Sequence, residues 1–471
     1  MVDLIRQEWR TRLILPAILV LSAVVFSWRL SERSLWHDEG VSYGIASMPI
    51  SSAMVVMPRE PNMLLYYLLL RLWLTLGNSE AALRSLSVAG AMGTVALTFV
   101  SARKWAGLGC GIVASLLLIS NPFLIRFAQE ARSYALLACA ATAAMFFAEE
   151  AMRNGTRRSA FRFALLSAVA AYLHVLSALL FIAATLVFLW RRHRLKIFEA
   201  GFLYTALTLP LWIVVSAQGQ ENLAWIPRLS WSLFRTSVET VVGNSGWFPV
   251  LVYGAGVAGF VFTARVKREP WHALVLLWAL FPGACMIALS LAGHPLFLTR
   301  FLIMSLPGLA IIAAQMMMHV FQASKILGAG AAALLIGYVV SFGQPPVNGT
   351  DDMRSAVRLI AAQEAPRDAV VVYWWQSIFS YQFYAERFGI RNAVVVCPDV
   401  HPPERVFVAP RGDLDRLKAS PRVWFVEQAN GDDSSAPSLQ AIRTQYCVAQ
   451  DEHTFGSLKV RLCSRTGGAL Q

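Results

Sequence analysis

Charged residues are scarce in this chain: Asp, Glu, Lys and Arg make up 15% of its 471 residues, whereas 56% are apolar. A soluble protein of this length needs more charge to stay in solution, so the deficit indicates a membrane protein. The formal net charge is +13, but no basic patch is interleaved with base-stacking aromatic residues. The composition therefore gives no reason to expect a nucleic-acid partner.

Two kinds of cofactor motif are also missing. The six cysteines include no CxxC pair, so there is no zinc or redox signature of that type. No glycine-rich phosphate loop follows a predicted strand, so nucleotide binding is not indicated. Cys110, Cys139 and Cys285 lie in apolar runs and are predicted to be inert. Cys447 and Cys463 flank 451–456, which is expected to form a hairpin turn, and a disulfide between them is possible if the C-terminal region faces an oxidising compartment.

Long apolar runs recur through the first part of the chain, and one membrane crossing needs roughly 20 apolar residues. We predict eleven spans, near 13–30, 85–102, 106–125, 134–151, 160–173, 175–190, 199–216, 247–264, 271–292, 301–320 and 325–342. No small-x-small cleavage site follows the first run, so we expect it to be a retained helix and not a removed signal peptide.

After Gln344-Pro345-Pro346 the long apolar runs end, and the sequence has short apolar runs between charged and turn residues. Strands are predicted at 369–373, 393–396 and 423–426, and helices at 377–388 and 437–446. The expected fold is a polytopic α-helical membrane module over 1–343, with an external loop at 31–84, followed by a small soluble α/β domain over 344–471.

The run at 63–74 is apolar but short, and Arg71 lies in its middle. With a cytoplasmic N-terminus, four basic clusters all fall in cytoplasmic loops if this run does not cross the membrane. If the run crosses, all four clusters are external, against the positive-inside rule. They are Arg103/Lys104, Arg153/Arg157/Arg158, Arg191/Arg192/Arg194/Lys196 and Arg265/Lys267/Arg268. We therefore predict a juxtamembrane helix, with the C-terminal domain on the periplasmic side of a bacterial inner membrane.

Trp36-His37-Asp38-Glu39 follows the first span on the predicted external face. Two adjacent carboxylates there can serve as a general base, as metal ligands, or as both. The alternative is structural: Asp38 or Glu39 caps the N-terminus of the following helix.

A second external loop contains Gln129-Glu130-Ala131-Arg132-Ser133-Tyr134. Glu130 could supply another acid and Arg132 a phosphate clamp, because guanidinium donates two parallel hydrogen bonds. The alternative is a solvated ion pair that contributes little.

Two further polar residues lie at span ends on the same predicted face. Arg300 could bind an anion there, or its side chain could extend to the membrane interface. His174 lies at the outer turn of a helical hairpin, where a lone histidine is more often a satisfied structural residue. The convergence of acids and arginines from distant parts of the chain on one face is typical of a multispan enzyme.

These residues resemble the GT-C glycosyltransferases of family 39, which use lipid-phosphate sugars and include protein O-mannosyltransferases and lipid A aminoarabinose transferases. The resemblance is strongest to bacterial galacturonosyl- or mannosyltransferase-like members. It rests on Leu35-Trp36-His37-Asp38-Glu39, on 60–73 and 79–84, on 128–136, on Tyr172-Leu173-His174 and on Thr299-Arg300-Phe301-Leu302. The family usually has His-Pro-Pro before its Tyr-Tyr helix, where this chain has Glu60-Pro61-Asn62.

The resemblance implies a hexosyl- or pentosyltransferase that moves a sugar from a polyprenyl-phosphate donor to a lipid, glycan or protein hydroxyl, with inversion. Asp38 would be the base, assisted by Glu39 and Glu130, and Arg132 and Arg300 would clamp the donor phosphate. Asp38 and Glu130 could also hold a divalent cation, Mg²⁺ or Mn²⁺. Further candidate site residues are Tyr134 at the phosphate, and His37, Glu60, Tyr66, Gln129 and His174.

Two other functions compete with this one. A carrier or flippase for a lipid-linked saccharide would be expected to have polar residues through the membrane depth and two-fold internal repeats, and neither is evident. A noncatalytic membrane scaffold for the terminal domain leaves the external acidic pair without a role.

Overall fold

The computed structural model describes residues 2–190, 194–218, 225–243, 246–267, 269–342, 351–372, 376–390, 394–396, 420–428 and 448–464. The helices are α1 (Val2–Ser27), α2 (His37–Ser47), α3 (Ile50–Val56), α4 (Leu64–Trp73), α5 (Glu80–Ala106), α6 (Leu108–Ser120), α7 (Pro122–Ala128), α8 (Tyr134–Asn154), α9 (Arg157–Leu173), α10 (Ala178–Trp190), α11 (Arg194–Ser216), α12 (Trp231–Val242), α13 (Trp247–Lys267), α14 (Pro270–Leu291), α15 (Leu306–Ala323), α16 (Lys325–Phe342), α17 (Met353–Gln363) and α18 (Ser377–Phe388). The strands are β1 (Ala369–Val372), β2 (Val394–Val396), β3 (Arg422–Gln428), β4 (Val448–Phe455) and β5 (Leu458–Ser464).

Every predicted span coincides with a helix or with two successive helical segments, and the polytopic helical fold is confirmed. Within the part of the chain that the structure describes, six helical segments could cross a membrane by length and composition: Glu80–Ala106, Tyr134–Asn154, Ile197–Ser216, Trp247–Lys267, Pro270–Leu291 and Thr299–Ala323. The pair α6 and α7 would be a seventh span, bent by 66°. At the bend, Asn121 Oδ1 caps α7 by accepting from the amides of Phe123 and Leu124.

The short apolar run forms α4, which has ten residues. At about 1.5 Å per residue it is roughly 15 Å long, half of the hydrocarbon thickness of a bilayer. Arg71 donates a hydrogen bond from its guanidinium to the carbonyl of Met48. The helix is thus too short to cross a membrane by itself, as the predicted topology requires.

The chain divides into two compact units. The first unit is formed by the described parts of 1–28, 58–69 and 84–345, and it contains nearly all the apolar helices. The second is formed by 29–57, 70–83 and the described parts of 346–471. Segments of the predicted external loop therefore fold together with the C-terminal region.

The sheet of the second unit has the order β2-β1-β3-β5-β4. Strand β1 pairs in parallel with β2 and β3, and β5 pairs antiparallel with β3 and β4. The α/β fold of this region and the three predicted strands are confirmed, and α18 is the predicted helix at 377–388. The helix predicted at 437–446 lies outside the described residues.

Strands β4 and β5 form a hairpin in the region where a hairpin turn is expected, but the extent of the predicted turn, 451–456, is wrong. That segment is strand as far as Phe455, and the chain reverses at Gly456-Ser457, where Gly456 has a φ of 61°. Because β4 is an edge strand, it carries solvent-facing polar residues whose composition resembles that of a turn. Cys463 is buried in β5 and disulfide-bonded; its predicted partner Cys447 lies outside the described residues.

Candidate active site

In the first unit the structure brings together Arg132, Tyr134, His174 and Arg300, four of the predicted site residues. The His174 ring centre is 6.3 Å from that of Tyr134, and the Arg300 guanidinium carbon is 6.0 Å from the Tyr134 ring centre. Both arginines lie near enough to His174 to act on its protonation. We refer to Arg132, His174 and Arg300 as the arginine cluster.

The loop that presents Arg132 is held by a serine on α5. Ser87 Oγ is 2.7 Å from the carbonyl oxygen of Glu130 and 3.2 Å from that of Arg132, and it is fully buried. A buried backbone carbonyl needs such a partner, because helix bonding is interrupted at this loop. Ser87 was not recognised from the sequence, since a lone serine in an apolar helix carries no distinctive pattern.

Gln129 anchors the other side of the same loop. Its side-chain amide donates hydrogen bonds to the carbonyls of Phe26, at 3.2 Å, and Trp28, at 2.9 Å, at the end of α1. The last carbonyls of a helix have no partner within the helix, so an amide donor there completes its C-terminus. Gln129 is thus a structural residue of the site.

His174 is buried and lies between α9 and the turn that precedes α10. Its Nδ1 accepts a hydrogen bond from the amide of Leu176 at 3.3 Å, so it caps this turn as a structural histidine would. Burial, together with the positive charges of Arg300 and Arg132, lowers the pKa of His174 to about 3. The imidazole is therefore neutral, and both positive charges of the cluster belong to the arginines.

Arg300 is held among aromatic rings at the start of a 3₁₀ turn, Thr299–Ser305. Its guanidinium carbon lies 4.9 Å from the ring centre of Trp225 and 5.9 Å from that of Phe301. Cation–π attraction to these rings restrains the position of the guanidinium. Trp225 was missed because it lies in a polar connecting segment far from any motif.

Glu130 is a buried acid, with a side chain that is 7% exposed. Its Oε2 is 3.7 Å from Nε of Arg126, which is 47% exposed. Glu130 therefore does form an ion pair, which is the structural alternative to a catalytic role. The pair is not fully solvated, because it joins a buried carboxylate to a half-exposed guanidinium. A buried carboxylate next to the arginine-bearing loop remains suited to orienting a substrate.

Asp38 and Glu39 belong to the second unit, where they form part of the first turn of α2. The N-cap of that helix is Trp36, whose side chain makes no capping bond, so neither acid occupies the cap position that the structural alternative gave to one of them. Free backbone amides and the helix dipole favour negative charge at this end. Glu39 is buried, whereas the side chain of Asp38 is 16% exposed.

A chain of polar contacts leads from Asp38 into the C-terminal region. His37 Nε2 is 3.8 Å from Asp38 Oδ1, and His37 Nδ1 is 3.3 Å from Asp351 Oδ2. Ser457 Oγ, in the turn between β4 and β5, is 2.5 Å from the other Asp351 oxygen. Asp351 thus bridges the histidine next to the acidic pair and the strand hairpin, a role that no local pattern predicted.

The C-terminal region also holds the backbone of the segment before Asp38. Arg354 donates to the carbonyls of Ser31, at 2.7 Å, Glu32, at 3.2 Å, and Arg33, at 3.1 Å. Ser380 Oγ donates to the carbonyl of Trp36 at 3.1 Å, and the Leu35 amide donates to the hydroxyl of Tyr384 at 2.8 Å. This segment lacks regular structure, so these side chains replace the missing backbone partners.

Glu60 and Tyr66 lie in the first unit, around the 3₁₀ turn Pro61–Met63. Glu60 is the N-cap residue of the turn and makes no side-chain capping bond there. Tyr66 is fully buried, with its ring centre 6.3 Å from that of Tyr67. The turn packs against α9 and α11, and Gln218 Nε2 donates to the carbonyl of Pro58 at 2.6 Å.

The described residues contain no group of three His, Cys, Asp or Glu side chains placed to hold a metal ion. Asp38 and Glu130, the predicted ligands, belong to different units. Two carboxylates can hold Mg²⁺ when water supplies its remaining ligands, so the residue types fit a divalent cation but do not form a closed site. We derive no catalytic step from a metal.

No protein-family model matches the chain, and neither does any curated protein. Solved structures do match. ArnT from Cupriavidus metallidurans bound to undecaprenyl phosphate aligns with 96% of this chain and 98% of its own, at a TM-score of 0.62 and 13% identity. The archaeal oligosaccharyltransferase AglB from Archaeoglobus fulgidus, in complex with an inhibitory peptide and a dolichol-phosphate, aligns with 98% of this chain and 75% of its own, at a TM-score of 0.54 and 11% identity.

The chain therefore has the GT-C fold of membrane glycosyltransferases, as predicted. The match to ArnT spans nearly the full length of both chains, so the C-terminal region is part of it. The apo form of the same enzyme aligns equally well, at 15% identity and a TM-score of 0.62. The narrower resemblance to family 39 stays a prediction.

Proposed function

We propose that the chain is an integral-membrane glycosyltransferase that moves a sugar from a polyprenyl-phosphate donor to a hydroxyl group of a lipid, glycan or protein. The observation that carries this proposal is the arginine cluster, in which two arginines and a neutral histidine meet on a GT-C fold. The donor class is supported by the fold neighbours, whose structures contain undecaprenyl phosphate and dolichol-phosphate.

The arginine cluster suits the departure of a lipid phosphate. When the bond between sugar and phosphate breaks, negative charge grows on the phosphate while the sugar gains oxocarbenium character. Arg132 and Arg300 can donate parallel N–H bonds to phosphate oxygens, and guanidinium keeps its charge at any physiological pH. Tyr134, beside Arg300, would add a wall and a hydroxyl to the same pocket.

Asp38 is proposed as the general base, with inversion at the anomeric carbon. In a single displacement the acceptor hydroxyl loses its proton to a carboxylate as it attacks the face opposite the leaving phosphate. Asp38 is the more exposed acid of the pair, which suits proton transfer, whereas the buried Glu39 and Glu130 suit orientation. His37 would orient Asp38.

We place the reaction on the periplasmic face of a bacterial inner membrane, with the N-terminus cytoplasmic. This placement follows from the basic clusters at 103–104, 153–158, 191–196 and 265–268. The disulfide of Cys463 supports it, because disulfides persist in the periplasm and are rare in the cytosol.

Sugar transfer from a defined donor tests the proposal. Purified protein in liposomes would receive synthetic polyprenyl-phosphate sugars and a membrane extract as acceptor, and the polyprenyl phosphate released would be measured by mass spectrometry. We expect release with at least one donor, and a donor KM raised roughly tenfold or more in Arg132→Ala and Arg300→Ala. Lysine at either position should restore part of the affinity for the donor. It keeps the positive charge but cannot donate two parallel hydrogen bonds as guanidinium does.

Arg235→Ala is the control, because Arg235 also lies over a tryptophan ring but is 49% exposed and pairs with Glu239 on its own helix. A donor KM that is unchanged in both cluster variants would overturn the clamp. Movement of intact donor across the liposome membrane, with no cleavage of any donor tested, would instead identify a carrier.

A further inference from the structure

A polar cavity lies at the end of α8 opposite to the end that carries the arginine cluster. It has a volume of about 410 Å³ and is formed by the ends of α5, α8, α13 and α15 and the start of α14. Tyr134 and Arg153 mark the two ends of α8, which are 19 residues or roughly 28 Å apart. The cavity is therefore about one hydrocarbon thickness from the cluster, toward the opposite membrane face.

The cavity walls contain buried polar groups that make no hydrogen bond of normal geometry with the described residues, although the His272 ring lies near the Glu269 backbone. His272 is 1% exposed, and neither of its ring nitrogens makes a hydrogen bond of normal geometry with a described residue. The same holds for the indole N–H of Trp105, in a residue 8% exposed, and for Oε1 of Gln315, in a residue 5% exposed. Buried polar groups are nearly always hydrogen-bonded, so three of them around one cavity indicate a ligand that supplies the partners.

The charge of the walls favours an anion. Lys104, Arg153 and Lys267 line the cavity together with one acid, Glu269, so the lining carries more positive than negative charge. Glu149 lies behind two of these cations, 3.4 Å from Lys104 Nζ and 2.6 Å from Arg153 Nε, and holds both in place. Lys267 forms no ion pair with any described residue.

The polar groups fit a particular kind of anion. Lys267, the Trp105 indole and the His272 ring can donate to phosphate oxygens. The Gln315 carbonyl oxygen is an acceptor, so it calls for a hydroxyl donor in the same ligand. A phosphodiester that also carries a free hydroxyl satisfies both requirements.

The surroundings favour a lipid over a soluble molecule. On α13, Val266, next to Lys267, is 67% exposed, and Phe262, five residues before it, is 70% exposed. On α15, Val320 is 41% and Phe321 37% exposed, beside His319 of the cavity wall. Apolar side chains exposed at the rim of a polar cavity suit acyl chains that extend from a bound headgroup.

We propose that this cavity binds the headgroup of an anionic glycerophospholipid of the phosphatidylglycerol type, in the leaflet opposite the arginine cluster. The phosphodiester lies against Lys267, His272 and Trp105, and a headgroup hydroxyl donates to Gln315. The cavity is thus a lipid site separate from the donor site, and its occupation stabilises the ends of five helices.

Lipid retention and thermal stability test this site without any assay of sugar transfer. Purified protein would be compared in phosphatidylglycerol and in phosphatidylcholine of the same acyl chains, with bound lipid counted by native mass spectrometry. We expect phosphatidylglycerol to be retained and to raise the melting temperature of the wild type. Lys267→Gln and His272→Phe, which keeps the stack on Trp271, should each weaken retention roughly tenfold or more.

Arg265→Gln is the control, since Arg265 has the same charge on the same exposed turn of α13 but does not line the cavity. If His272→Phe does not fold, the Lys267→Gln variant still tests the site, because Lys267 is exposed and its replacement should not disturb folding. Retention of phosphatidylglycerol at wild-type strength by Lys267→Gln, or equal loss in Arg265→Gln, would overturn the site. Equal stabilisation by inorganic phosphate at matched concentration would overturn the lipid as its ligand.

Discussion

The His37 imidazole and the Asp351 carboxylate, 314 residues apart in the chain, approach to 3.3 Å between Nδ1 and Oδ2. The Asp351 carboxylate beside Nδ1 restrains the orientation of the ring, in which Nε2 is 3.8 Å from Asp38 Oδ1. The residue next to the proposed base is therefore positioned from the C-terminal region.

Asp351→Asn should lower kcat/KM for sugar transfer by roughly tenfold, the cost of one hydrogen bond to a charged group, and should alter its pH profile. The neighbouring Asp352 is the control, because its side chain caps α17 by accepting from the Ser355 amide at 3.2 Å. Asp352→Asn keeps a side-chain oxygen that can cap α17, so it should leave both the pH profile and the stability largely intact. Identical pH profiles in wild type and Asp351→Asn would remove Asp351 from the catalytic arrangement.

Asp38→Asn should reduce transfer by roughly 10²- to 10⁴-fold with little loss of folded protein, because an amide of the same shape cannot accept the proton. Glu130→Gln should also be severe. Turnover and melting temperature would be measured together, with Glu32→Gln as a control for an exposed acid. A well-folded Asp38→Asn variant with near wild-type turnover would show that another group is the base.

His174 makes stability depend on pH. Its pKa is about 3 in the folded protein and near 6.5 when unfolded, so the unfolded state gains a proton first as the pH falls. The free energy of unfolding is therefore highest above pH 6.5 as far as His174 is concerned, and it falls as the pH drops toward 3. At pH 5 it is lower by about 2 kcal/mol. Chemical denaturation at pH 7 and pH 5 should show a smaller difference in His174→Asn, which retains a capping side chain, than in the wild type.

The exposed His294 serves as the comparison for this measurement. His294→Asn, at an exposed position, should leave the stability at pH 7 as it is in the wild type and controls for the loss of an imidazole. A wild-type protein that is equally stable at pH 7 and pH 5 would contradict a neutral, buried His174.

Gly40 and Gly44 lie one turn apart on the face of α2 that contacts α18. A methyl group on Gly40 would come within 2.7 Å of the Ser380 backbone nitrogen, and one on Gly44 within 2.7 Å of the Phe379 ring. Gly40→Ala should therefore destabilise the second unit by roughly 1–3 kcal/mol despite the better helix propensity of alanine. Gly201→Ala, in a helix interior with no neighbour within 4 Å, should be neutral or stabilising by thermal denaturation.

The proposed orientation predicts labelling by an impermeant thiol reagent. Cysteines introduced at Ser245 or Gly412 should react from outside, and cysteines at Thr156 or Arg194 only after the membrane is opened. The free cysteines Cys110, Cys139 and Cys285 would first be replaced. If positions 156 and 194 react from outside and position 412 does not, the orientation is inverted. The N-terminus would then lie outside, and the proposed site would face the cytoplasm.

The helices and the first three strands could be predicted because they depend on local patterns. Apolar runs mark spans wherever they fold, and short β-branched runs such as 369–372 mark buried strands regardless of their partners. The arginine cluster was also predictable in part, since its residues lie at the ends of apolar runs, where polar groups stand out.

The rest depends on tertiary packing between distant segments. Asp351 lies in a polar, turn-rich stretch, and nothing in its neighbours marks it as the partner of His37. Trp225 and Ser87 serve the site through a stacked ring and a pair of carbonyl contacts, which leave no periodic signal. The edge strand β4 was mistaken for a turn because its outward residues are polar.

The packing of α2 on α18 also has a consequence for biosynthesis. The helix that bears Asp38 leaves the ribosome more than 300 residues before the helix that it packs against and before Arg354, which holds its leading segment. At roughly 5–20 residues per second, this interval lasts on the order of tens of seconds. During that time the first apolar helices can enter the membrane while the proposed base has no fixed position. A chain truncated before residue 350 would keep the arginines and lack a supported Asp38, so the nascent protein would acquire activity only when synthesis is nearly complete.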